Sequence, residues 1–561
     1  MNRKISIILA GEAGQGIQSI ESIIVSVLKK DGFNIFATKE YMSRVRGGVN
    51  STTIIVAENS IDAYYENMDI FIPLSDEALK RYEKNITENT IILADNTQVH
   101  HPKITNLPIQ RLASELGNVI FSNTIAAGVI LGIFNASQEI MNNLIKNLFQ
   151  KKGEEIVNKN LEAIKIGYNI GNELKNNKVV DININKTGDK NSLLMNGADA
   201  IAIGALAGGC NACFAYPMTP STSVFTNMAN YSKNYNIAVE QVEDEIGVIN
   251  MALGCWYAGG RALVTTSGGG FALMTEGLSL AGMTETPVVI HLAQRPGPAT
   301  GLPTRTEQGD LNLVLYAGHG VFPRIIFAPG NLKQAFELSA MAFNYADKFQ
   351  IPVFILSDQY FVDTYYNIPI FDIDNIKKED FFIKTEKDYK RYKITDDGIS
   401  PRGIPGFGDG LVAVDSDEHN EEGRITEDLN GISLQMKNKR LRKFKKVEEY
   451  ALPPVLYGKE DFKNLIICWG STLNIVLETV KNIKNSDIAV LFFPQVYPLH
   501  KSTIEFLNKA KKVIAVENNS TGQFADLIKT ITGFEVKTRI LKYNGIQFSV
   551  EELLVKIKEN L

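Results

Sequence analysis

Short apolar runs of strand length alternate with helical patterns along most of the chain, and this alternation constrains the fold more than any other feature. Examples are ISIILA at 5–10, TIILAD at 90–95, PVVIHLA at 287–293 and NLIICWG at 464–470. Such alternation predicts βα units whose parallel strands form sheets covered by helices. A chain of 561 residues is too long for one hydrophobic core, so we expect an α/β protein of several domains with mainly parallel sheets.

Two polar stretches divide this pattern. An Asn- and Lys-rich stretch predicts a linker at 179–192. Residues 373–455 are rich in Lys, Asp and Glu and poor in apolar periodicity, which predicts an irregular connecting segment. Three α/β domains are therefore expected, at 1–178, 193–372 and 456–561.

Composition excludes several classes of function. A net charge of −5 gives no electrostatic basis for binding nucleic acid or an anionic membrane surface. The most membrane-like stretch, 118–134, is interrupted by Asn, Ser and Thr and is predicted to be a buried helix. Four cysteines in so long a chain indicate a reducing compartment. We expect a cytoplasmic protein with neither a nucleic acid nor a membrane as partner.

A glycine cluster, Gly11-x-x-Gly14-x-Gly16, follows the first predicted strand and precedes a helix. Glycines there allow a sharp turn and leave amide groups free at the helix N-terminus, which suits an anionic group. The order differs from the GxGxxG dinucleotide fingerprint, so a turn without a ligand is favoured over an NAD site, and a stand-alone NAD dehydrogenase is disfavoured. Arg44 and Arg46 would add positive charge near this loop or form a solvated surface.

Cys210 and Cys213 form a single CxxC pair. A structural zinc needs a second pair of ligands, and no histidine pair has matching spacing. A four-thiolate cluster would have to recruit Cys255 and Cys468 at an unfamiliar spacing. The small residues around the pair predict a tightly packed helix in which each cysteine acts as a small apolar side chain.

The turn that follows the pair, YPMTPSTS, is a stronger candidate for a functional site than the cysteines. Pro217 and Pro220 fix the backbone on both sides of Thr219, at a strand end where α/β sheets bind ligands. Glu245 begins an apolar helix and is the carboxylate there that we expect to turn inward, where it needs a partner such as a protonated ring nitrogen. Arg295, in a Pro- and Gly-rich loop after a strand, suits bidentate binding of a carboxylate.

Taken together, YPxTPS, a Glu before an Ile-Gly turn, TTSGGG and QRPGPATGLPTRTEQGDL resemble the α subunit of 2-oxoacid:ferredoxin oxidoreductases. GEAGQGIQS near the N-terminus is similar to the γ unit fused ahead of it. DGISPRGIPG and DEHNEEGRITED are similar to stretches of 2-oxoglutarate-type members. The resemblance implies a Rossmann-like γ unit, a thiamine pyrimidine-binding domain and a transketolase C-terminal-like domain, in that order.

The resemblance assigns roles to individual residues. Glu245 corresponds to the catalytic and cofactor-binding glutamate that hydrogen-bonds N1′ of the thiamine aminopyrimidine. Thr219 and Arg295 match the pair that receives the 1-carboxylate of the substrate. Pro217 shapes the cofactor pocket, and Thr304 is a second polar contact for the substrate.

The family oxidatively decarboxylates a 2-oxoacid to acyl-CoA and CO2, with coenzyme A as co-substrate and electrons passing to ferredoxin. The resemblance implies thiamine diphosphate shared with a β subunit, which carries Mg and a [4Fe–4S] cluster in an (αβ)2 assembly. Gly408-Asp409-Gly410 resembles the start of the magnesium and pyrophosphate clamp, but no strand precedes it and the Asn pair downstream stands only at 518–519. We therefore expect no metal ligand in this chain.

The substrate and the catalytic role leave alternatives. The resemblance to 2-oxoglutarate-type members favours 2-oxoglutarate, while pyruvate and branched-chain 2-oxoacids stay open. A non-catalytic, partner-binding subunit is the alternative of another class. Loss of Glu245 or Arg295 would support it, and both residues are present.

Overall fold

The computed structural model describes residues 3–43 and 48–561. Arg44 and Arg46, the two arginines near the glycine cluster, lie outside these residues. Within the described ranges, none of the helices has both the length and the apolar character that crossing a membrane requires.

The chain forms two compact units. The first contains Met1–Asn196 and Asp363–Ile370, and the second contains Gly197–Val362 and Phe371–Leu561. A short segment from the middle of the sequence therefore belongs to the first unit.

Strands and helices alternate through the first 196 residues, in the order β1 (Lys4–Glu12), α1 (Ile17–Lys30), β2 (Asn34–Glu40), β3 (Val49–Ala57), β4 (Ile70–Pro73), α2 (Asp76–Tyr82), β5 (Ile91–Ala94), β6 (Ile104–Asn106), α3 (Ile109–Glu115), α4 (Ser122–Ile133), α5 (Gln138–Phe149), α6 (Glu154–Asn176) and β7 (Leu193–Met195). The next stretch contains α7 (Gly197–Ala207), β8 (Ala212–Ala215), α8 (Thr222–Tyr235), β9 (Ala238–Gln241), α9 (Glu245–Tyr257), β10 (Ala262–Thr266), α10 (Gly268–Leu273), α11 (Thr275–Thr284), β11 (Val288–Gln294), α12 (Leu311–Tyr316), β12 (Ile325–Phe327), α13 (Leu332–Phe349), β13 (Pro352–Asp358) and α14 (Gln359–Asp363).

The remaining elements are β14 (Tyr365–Ile368), β15 (Phe382–Thr385), β16 (Arg402–Gly408), α15 (Ile432–Glu449), β17 (Val455–Tyr457), β18 (Asn464–Trp469), α16 (Thr472–Ile483), β19 (Ile488–Phe493), β20 (Gln495–Tyr497), α17 (Thr503–Lys509), β21 (Lys512–Glu517), α18 (Gln523–Thr532), β22 (Thr538–Leu541) and α19 (Val550–Glu559).

The first unit is built on a mixed sheet of order β6-β5-β4-β1-β3-β2-β14-β7. The strands from β6 to β1 pair in parallel, and those from β1 through β3, β2 and β14 to β7 pair antiparallel. β14 supplies the pairing partner for both β2 and β7, with Tyr366 opposite Phe36 on one side and opposite Met195 on the other.

Helix α4, the most membrane-like part of the sequence, is a buried helix as predicted. It packs closely on α6 through glycines on both helices. A Cβ at Gly128 would lie 2.4 Å from the carbonyl oxygen of Ile164, and one at Gly167 would lie 2.0 Å from that of Ile125. The two backbones therefore approach more closely than any larger residue permits.

The stretch predicted as a linker, 179–192, packs on the first unit. Val180 and Ile182 are buried in its hydrophobic core, and the Gly188 amide donates to the carbonyl of Gly32 at 2.8 Å. The stretch has no helix or strand, and its alternating apolar residues Val180 and Ile182 bind it to the core.

The second unit contains two larger sheets. One has the order β20-β12-β13-β11-β10-β8-β9 and is parallel except for β20 at its edge. The other has the order β17-β19-β18-β21-β22 and is parallel except for β17. The predicted α/β class with mainly parallel sheets is confirmed.

The connecting segment 373–455 is less irregular than its composition predicts, because buried ion pairs replace apolar periodicity. It contains β15, β16 and the 18-residue α15. On α15, Lys439 Nζ lies 2.5 Å from Glu285 Oε1, and Lys443 pairs with the other oxygen of that carboxylate. All three side chains are at most 2% exposed.

Candidate active site

The predicted functional residues follow neighbouring strands of the parallel sheet in the second unit. The turn carrying Thr219 comes after β8, Glu245 after β9, a glycine turn formed by 267–270 at the start of helix α10 after β10, and Arg295 after β11. The carboxyl ends of parallel strands meet at one edge of a sheet, and this edge is where α/β proteins bind ligands. The topology therefore brings these loops together.

Glu245 is the first residue of α9 and is 3% exposed. The preceding Asp244 caps the helix by accepting a hydrogen bond from the Gly247 amide at 2.7 Å, which leaves Asp244 at the surface and turns Glu245 inward. Glu245 Oε1 is buried and has no hydrogen-bond partner. A buried carboxylate oxygen without a donor is costly, so this atom fits a protonated nitrogen of a bound molecule.

Arg295 and Thr219 are in direct contact. Arg295 Nη1 donates a hydrogen bond of 2.6 Å to the backbone carbonyl of Thr219, and Arg295 Nε is buried without a partner. The guanidinium is thus tied to the turn by one nitrogen, and Nε has no acceptor. Pro217 lies exposed in the same turn, and Thr304 is buried in the loop that Arg295 begins.

Gly268 and Gly270 bring two carboxylates against one turn. A Cβ at Gly270 would lie 2.6 Å from Glu245 Oε1, and a Cβ at Gly268 would lie 2.4 Å from Asp310 Oδ1. Real Cβ atoms do not approach other atoms so closely, and both glycines are therefore required by their neighbours. The intervening Gly269 is exposed and has only ordinary contacts.

Sequence reasoning gave Asp310 no role. The residue is partly exposed, its Oδ2 atom is buried without a hydrogen-bond partner, and its backbone amide donates to Gln294 Oε1 at 3.0 Å. Burial, with a smaller contribution from Glu307, raises the pKa of Asp310 to about 7, while Arg295 acts in the opposite direction. The sequence does contain a signal for this residue. Asp310 ends the loop that begins with Arg295, the candidate carboxylate-binding arginine.

Within the described residues, one histidine, His291, lies in the strands that end at this edge, and its side chain is inside the sheet. His291 is fully buried, with Thr265 Oγ1 at 2.8 Å from Nδ1 and Ser357 Oγ at 2.8 Å from Nε2. Burial lowers the pKa of His291 to about 3, so the ring is neutral. Both nitrogens are satisfied by neighbouring strands, which gives this histidine a structural role.

The loop that carries Arg295 is anchored at its far end by the Asn pair at 518–519. The amide of Gln308 donates to the Asn518 carbonyl at 2.6 Å, and Asn519 Nδ2 donates to the Gln308 carbonyl at 3.2 Å. This pair is engaged in packing, and Asp409 of the GDG sequence is exposed.

The cysteine pair is buried, but the predicted helix around it is wrong. Cys210 lies after α7 has ended, and Cys213 lies in β8. Cys210 Sγ donates to the Ala212 carbonyl at 3.2 Å, and burial raises the pKa of Cys210 to about 12. Gly208 and Gly209 lie between the end of α7 and the start of β8, and Gly209 has φ of 84°. Among the described residues, no group of three or more His, Cys, Asp or Glu side chains is arranged to hold a metal ion.

The glycine cluster of the first unit is explained by packing. Gly16 has φ of 78°, and a Cβ there would lie 1.9 Å from the side-chain nitrogen of Asn123. Gln15 Oε1 accepts a hydrogen bond from the Glu12 amide at 2.7 Å. Gly16 therefore has a structural reason to be glycine, because a side chain there would collide with Asn123.

Two family models match the chain. The model described as "Pyruvate flavodoxin/ferredoxin oxidoreductase, thiamine diP-bdg" matches 203–438, which contains Thr219, Glu245 and Arg295. The model described as "Pyruvate ferredoxin/flavodoxin oxidoreductase" matches 6–170.

Relatives match over nearly the full length. The 2-oxoacid:ferredoxin oxidoreductase subunit alpha of Sulfolobus sp is 30% identical over 99% of this chain and 97% of its own. The 2-oxoglutarate synthase subunit KorA of Methanocaldococcus jannaschii is 34% identical over 64% of this chain and 97% of its own. The structure of 2-oxoglutarate:ferredoxin oxidoreductase from Magnetococcus marinus, with 2-oxoglutarate, coenzyme A and succinyl-CoA bound, has a TM-score of 0.92 at 28% identity and covers 100% of both chains. This chain therefore belongs to the family of thiamine diphosphate-dependent 2-oxoacid:ferredoxin oxidoreductases, as an α subunit.

Proposed function

We propose that this chain is the α subunit of an enzyme that oxidatively decarboxylates 2-oxoglutarate to an acyl-CoA and CO2 and passes the electrons to ferredoxin. The observation that carries the proposal is the buried Oε1 atom of Glu245, which has no hydrogen-bond partner. Glu245 lies against Gly270 of the glycine turn, and Asp310, at the end of the loop that Arg295 begins, lies against Gly268 of the same turn. The choice of 2-oxoglutarate is supported by the names of the Methanocaldococcus and Magnetococcus proteins. Pyruvate and branched-chain 2-oxoacids are the alternative substrates.

Glu245 is proposed to hold the pyrimidine of thiamine diphosphate. Its Oε1 atom is buried and lacks a donor, and a protonated ring nitrogen supplies one. When bound, thiamine diphosphate provides the nucleophile and electron sink that decarboxylation of a 2-oxoacid needs. Glu245 keeps a proton on the ring nitrogen, and Pro217 forms part of the wall at the exposed end of the turn.

Arg295 and Thr219 are proposed to bind the 1-carboxylate of the substrate, with Thr304 as a further polar contact. The Arg295 guanidinium is oriented by the Thr219 carbonyl, so its remaining N–H groups are held in a fixed direction. A planar fork fixed in this way favours a carboxylate over a neutral group.

A β subunit is proposed to complete the site. Asp409 is exposed and the Asn pair is engaged in packing, so a partner must supply the magnesium and pyrophosphate clamp. We assign the [4Fe–4S] cluster to the same partner, in an (αβ)2 assembly that uses coenzyme A and ferredoxin. The four cysteines of the chain are free thiols, which agrees with a cytoplasmic location.

The test is co-expression of this chain with the candidate β subunit, followed by anaerobic viologen reduction dependent on coenzyme A. We expect reduction only when both chains are present, and faster reduction with 2-oxoglutarate than with pyruvate or a branched-chain 2-oxoacid. Faster reduction with pyruvate would change the assigned substrate. A stable complex that is inactive with all of these acids would contradict the proposed reaction.

A further inference from the structure

Gln308 is a fully buried side chain in the substrate loop, residues 295–310, and the proposed function gives it no task. We propose that Gln308 is a positioning residue. It fastens the substrate loop to the C-terminal sheet (β17-β19-β18-β21-β22) and so sets the position of Thr304 relative to Arg295, which lets both bind the 1-carboxylate of the substrate. This inference rests on the proposed function, because it takes Thr304 and Arg295 as substrate-binding groups.

The polar groups of Gln308 pair with residues at the ends of two neighbouring strands of that sheet. Its Nε2 atom donates to the carbonyl of Trp469, the last residue of β18, at 2.8 Å. Its Oε1 atom accepts from the amide of Asn518, just after β21, at 2.8 Å. The backbone of Gln308 donates to the Asn518 carbonyl and accepts from Asn519 Nδ2. A buried polar group that loses its partner is costly, so these bonds hold the loop on the sheet.

A buried carboxylate fixes the residues that hold Gln308. Glu517, the last residue of β21, is 1% exposed and accepts hydrogen bonds from Asn519 Nδ2 at 2.9 Å and from Trp469 Nε1 at 3.3 Å. It also accepts from two backbone amides in the first turn of α18, at 2.9 and 3.0 Å. Because Asn519 and Trp469 are held in this way, they form a rigid support for Gln308.

The support extends along the loop towards Thr304. Residues 304, 306 and 308 are 8%, 2% and 0% exposed, and the residues between them are partly exposed. The amide of Thr306 donates to the Gly545 carbonyl, beyond β22, at 3.1 Å, and its hydroxyl donates to Asp358 Oδ1, at the end of β13, at 3.1 Å. Thr304 is therefore carried by a short segment whose far end is set by Gln308.

Arg295, in contrast, is placed by the parallel sheet. It directly follows Gln294, the last residue of β11. Gln294 donates through Nε2 to the Ser357 carbonyl at 3.1 Å and accepts from the Asp310 amide at 3.0 Å, which closes the base of the loop. The two substrate-binding residues are thus fixed to different sheets, and Gln308 links them.

The test removes the side-chain hydrogen bonds of Gln308 and follows substrate binding. Gln308→Met nearly keeps the side-chain volume but leaves the Trp469 carbonyl and the Asn518 amide unpaired, so water must enter and separate the loop from the sheet. Arg295 stays in place, and the substrate carboxylate loses its contact with Thr304. In viologen reduction by the αβ complex, we expect the KM for 2-oxoglutarate to rise about three- to tenfold and kcat to change by less than about twofold.

The matched control is Gln495→Met. Gln495 is 2% exposed and also bridges two backbone groups, since it donates to the Pro498 carbonyl at 2.9 Å and accepts from the Leu452 amide at 3.2 Å. It lies in β20, outside the substrate loop. The KM of this variant should stay within about twofold of the unmodified value, because the same kind of buried bond is lost at a place that does not carry Thr304.

A double-mutant cycle with Thr304→Val tests whether Gln308 acts through Thr304. Valine has nearly the shape of threonine without the hydroxyl group. We expect Thr304→Val alone to raise the KM for 2-oxoglutarate about three- to tenfold, and Gln308→Met to add no further rise in the double variant. A role of Gln308 in stability alone would not produce this coupling.

Gln523→Met is the second variant if Gln308→Met does not fold. It removes a hydrogen bond of 2.8 Å to the Gly309 carbonyl from a side chain that is less buried, and the KM should again rise. An unchanged KM in these variants, a lower kcat at unchanged KM, or multiplied effects in the double variant would overturn the inference alone. An unmodified complex that reduces viologen with none of the 2-oxoacids would overturn the proposed function and this inference with it.

Discussion

Glu245 and Asp310 are two carboxylates against the same glycine turn, Glu245 buried and Asp310 partly exposed, and their surroundings differ. Glu245 is placed by a helix N-terminus and lacks a donor. Asp310 is placed by backbone contacts and faces the charge of Arg295. Two carboxylates against one turn thus have different surroundings because different elements carry them.

At the scale of single residues, Glu245→Gln should abolish most activity while the complex still assembles. An amide presents a weaker acceptor to a protonated ring nitrogen and no longer offsets its charge. We expect the rate of viologen reduction to fall by at least about a hundredfold. Circular dichroism and gel filtration check folding and assembly, and turnover at the unmodified rate would rule out this role.

Arg295→Ala should raise the KM for the 2-oxoacid by about 10- to 100-fold, the range expected for loss of a charged hydrogen-bonding partner. Binding of thiamine diphosphate should be unchanged, because Arg295 is assigned to the substrate. Steady-state kinetics and a cofactor titration separate the two effects. An unchanged KM would show that the substrate carboxylate is bound elsewhere.

At the scale of elements, the glycine turn offers a matched pair of substitutions. Gly270→Ala places a Cβ 2.6 Å from Glu245 Oε1, whereas the nearest atom to a Cβ at Gly269 is the Ala299 carbonyl at 3.6 Å. We expect Gly270→Ala to displace the carboxylate and reduce activity about a hundredfold, with weaker binding of thiamine diphosphate. Gly269→Ala should retain activity. Similar losses in both variants would indicate a general defect of the turn.

Sequence reasoning reached the elements whose identity depends on local pattern. The alternation of apolar runs predicted parallel strands, and Thr219 and Arg295 were each placed after a predicted strand, where α/β sheets bind ligands. Glu245 was singled out because it stands at the edge of an apolar helix, next to Ile246 and Gly247. Asp310 was missed because its carboxylate contacts Gly268, at the start of α10, which is far from it in the sequence. The helix assigned to the cysteine pair was wrong because small residues pack equally well in a strand.

At the scale of the whole molecule, the connecting segment 373–455 shows how a charged sequence acquires order. The carboxylate of Glu285 lies between Lys439 and Lys443, and the Arg391 guanidinium donates to the Glu285 carbonyl at 2.7 Å. The sequence of this segment has no apolar periodicity from which such a cluster could be predicted. The pairing of charges far apart in sequence is visible only once the fold has brought them together.

Glu285→Gln should destabilise the fold by about 3–5 kcal/mol, because it leaves two buried lysines without a counter-charge. Chemical unfolding of this chain measures the change. The control is Glu535→Gln, which removes the partner of Lys529 from an ion pair with both side chains about half exposed, and which should change stability by less than about 1 kcal/mol. Equal effects of the two substitutions would contradict a structural role for the buried cluster.

The position of Tyr365–Ile368 in the chain has a consequence for strand pairing during synthesis. This segment is β14, which lies between β2 and β7 in the first sheet. In the sequence, however, it follows β13, a strand of the parallel sheet in the second unit. While the chain emerges from the ribosome, the edge of β2 that pairs with β14 has no partner strand until α7 to α14 have been synthesised. A gene fragment that stops at 196 would therefore produce a first unit with an open strand edge, and one that extends to 370 would supply the missing strand.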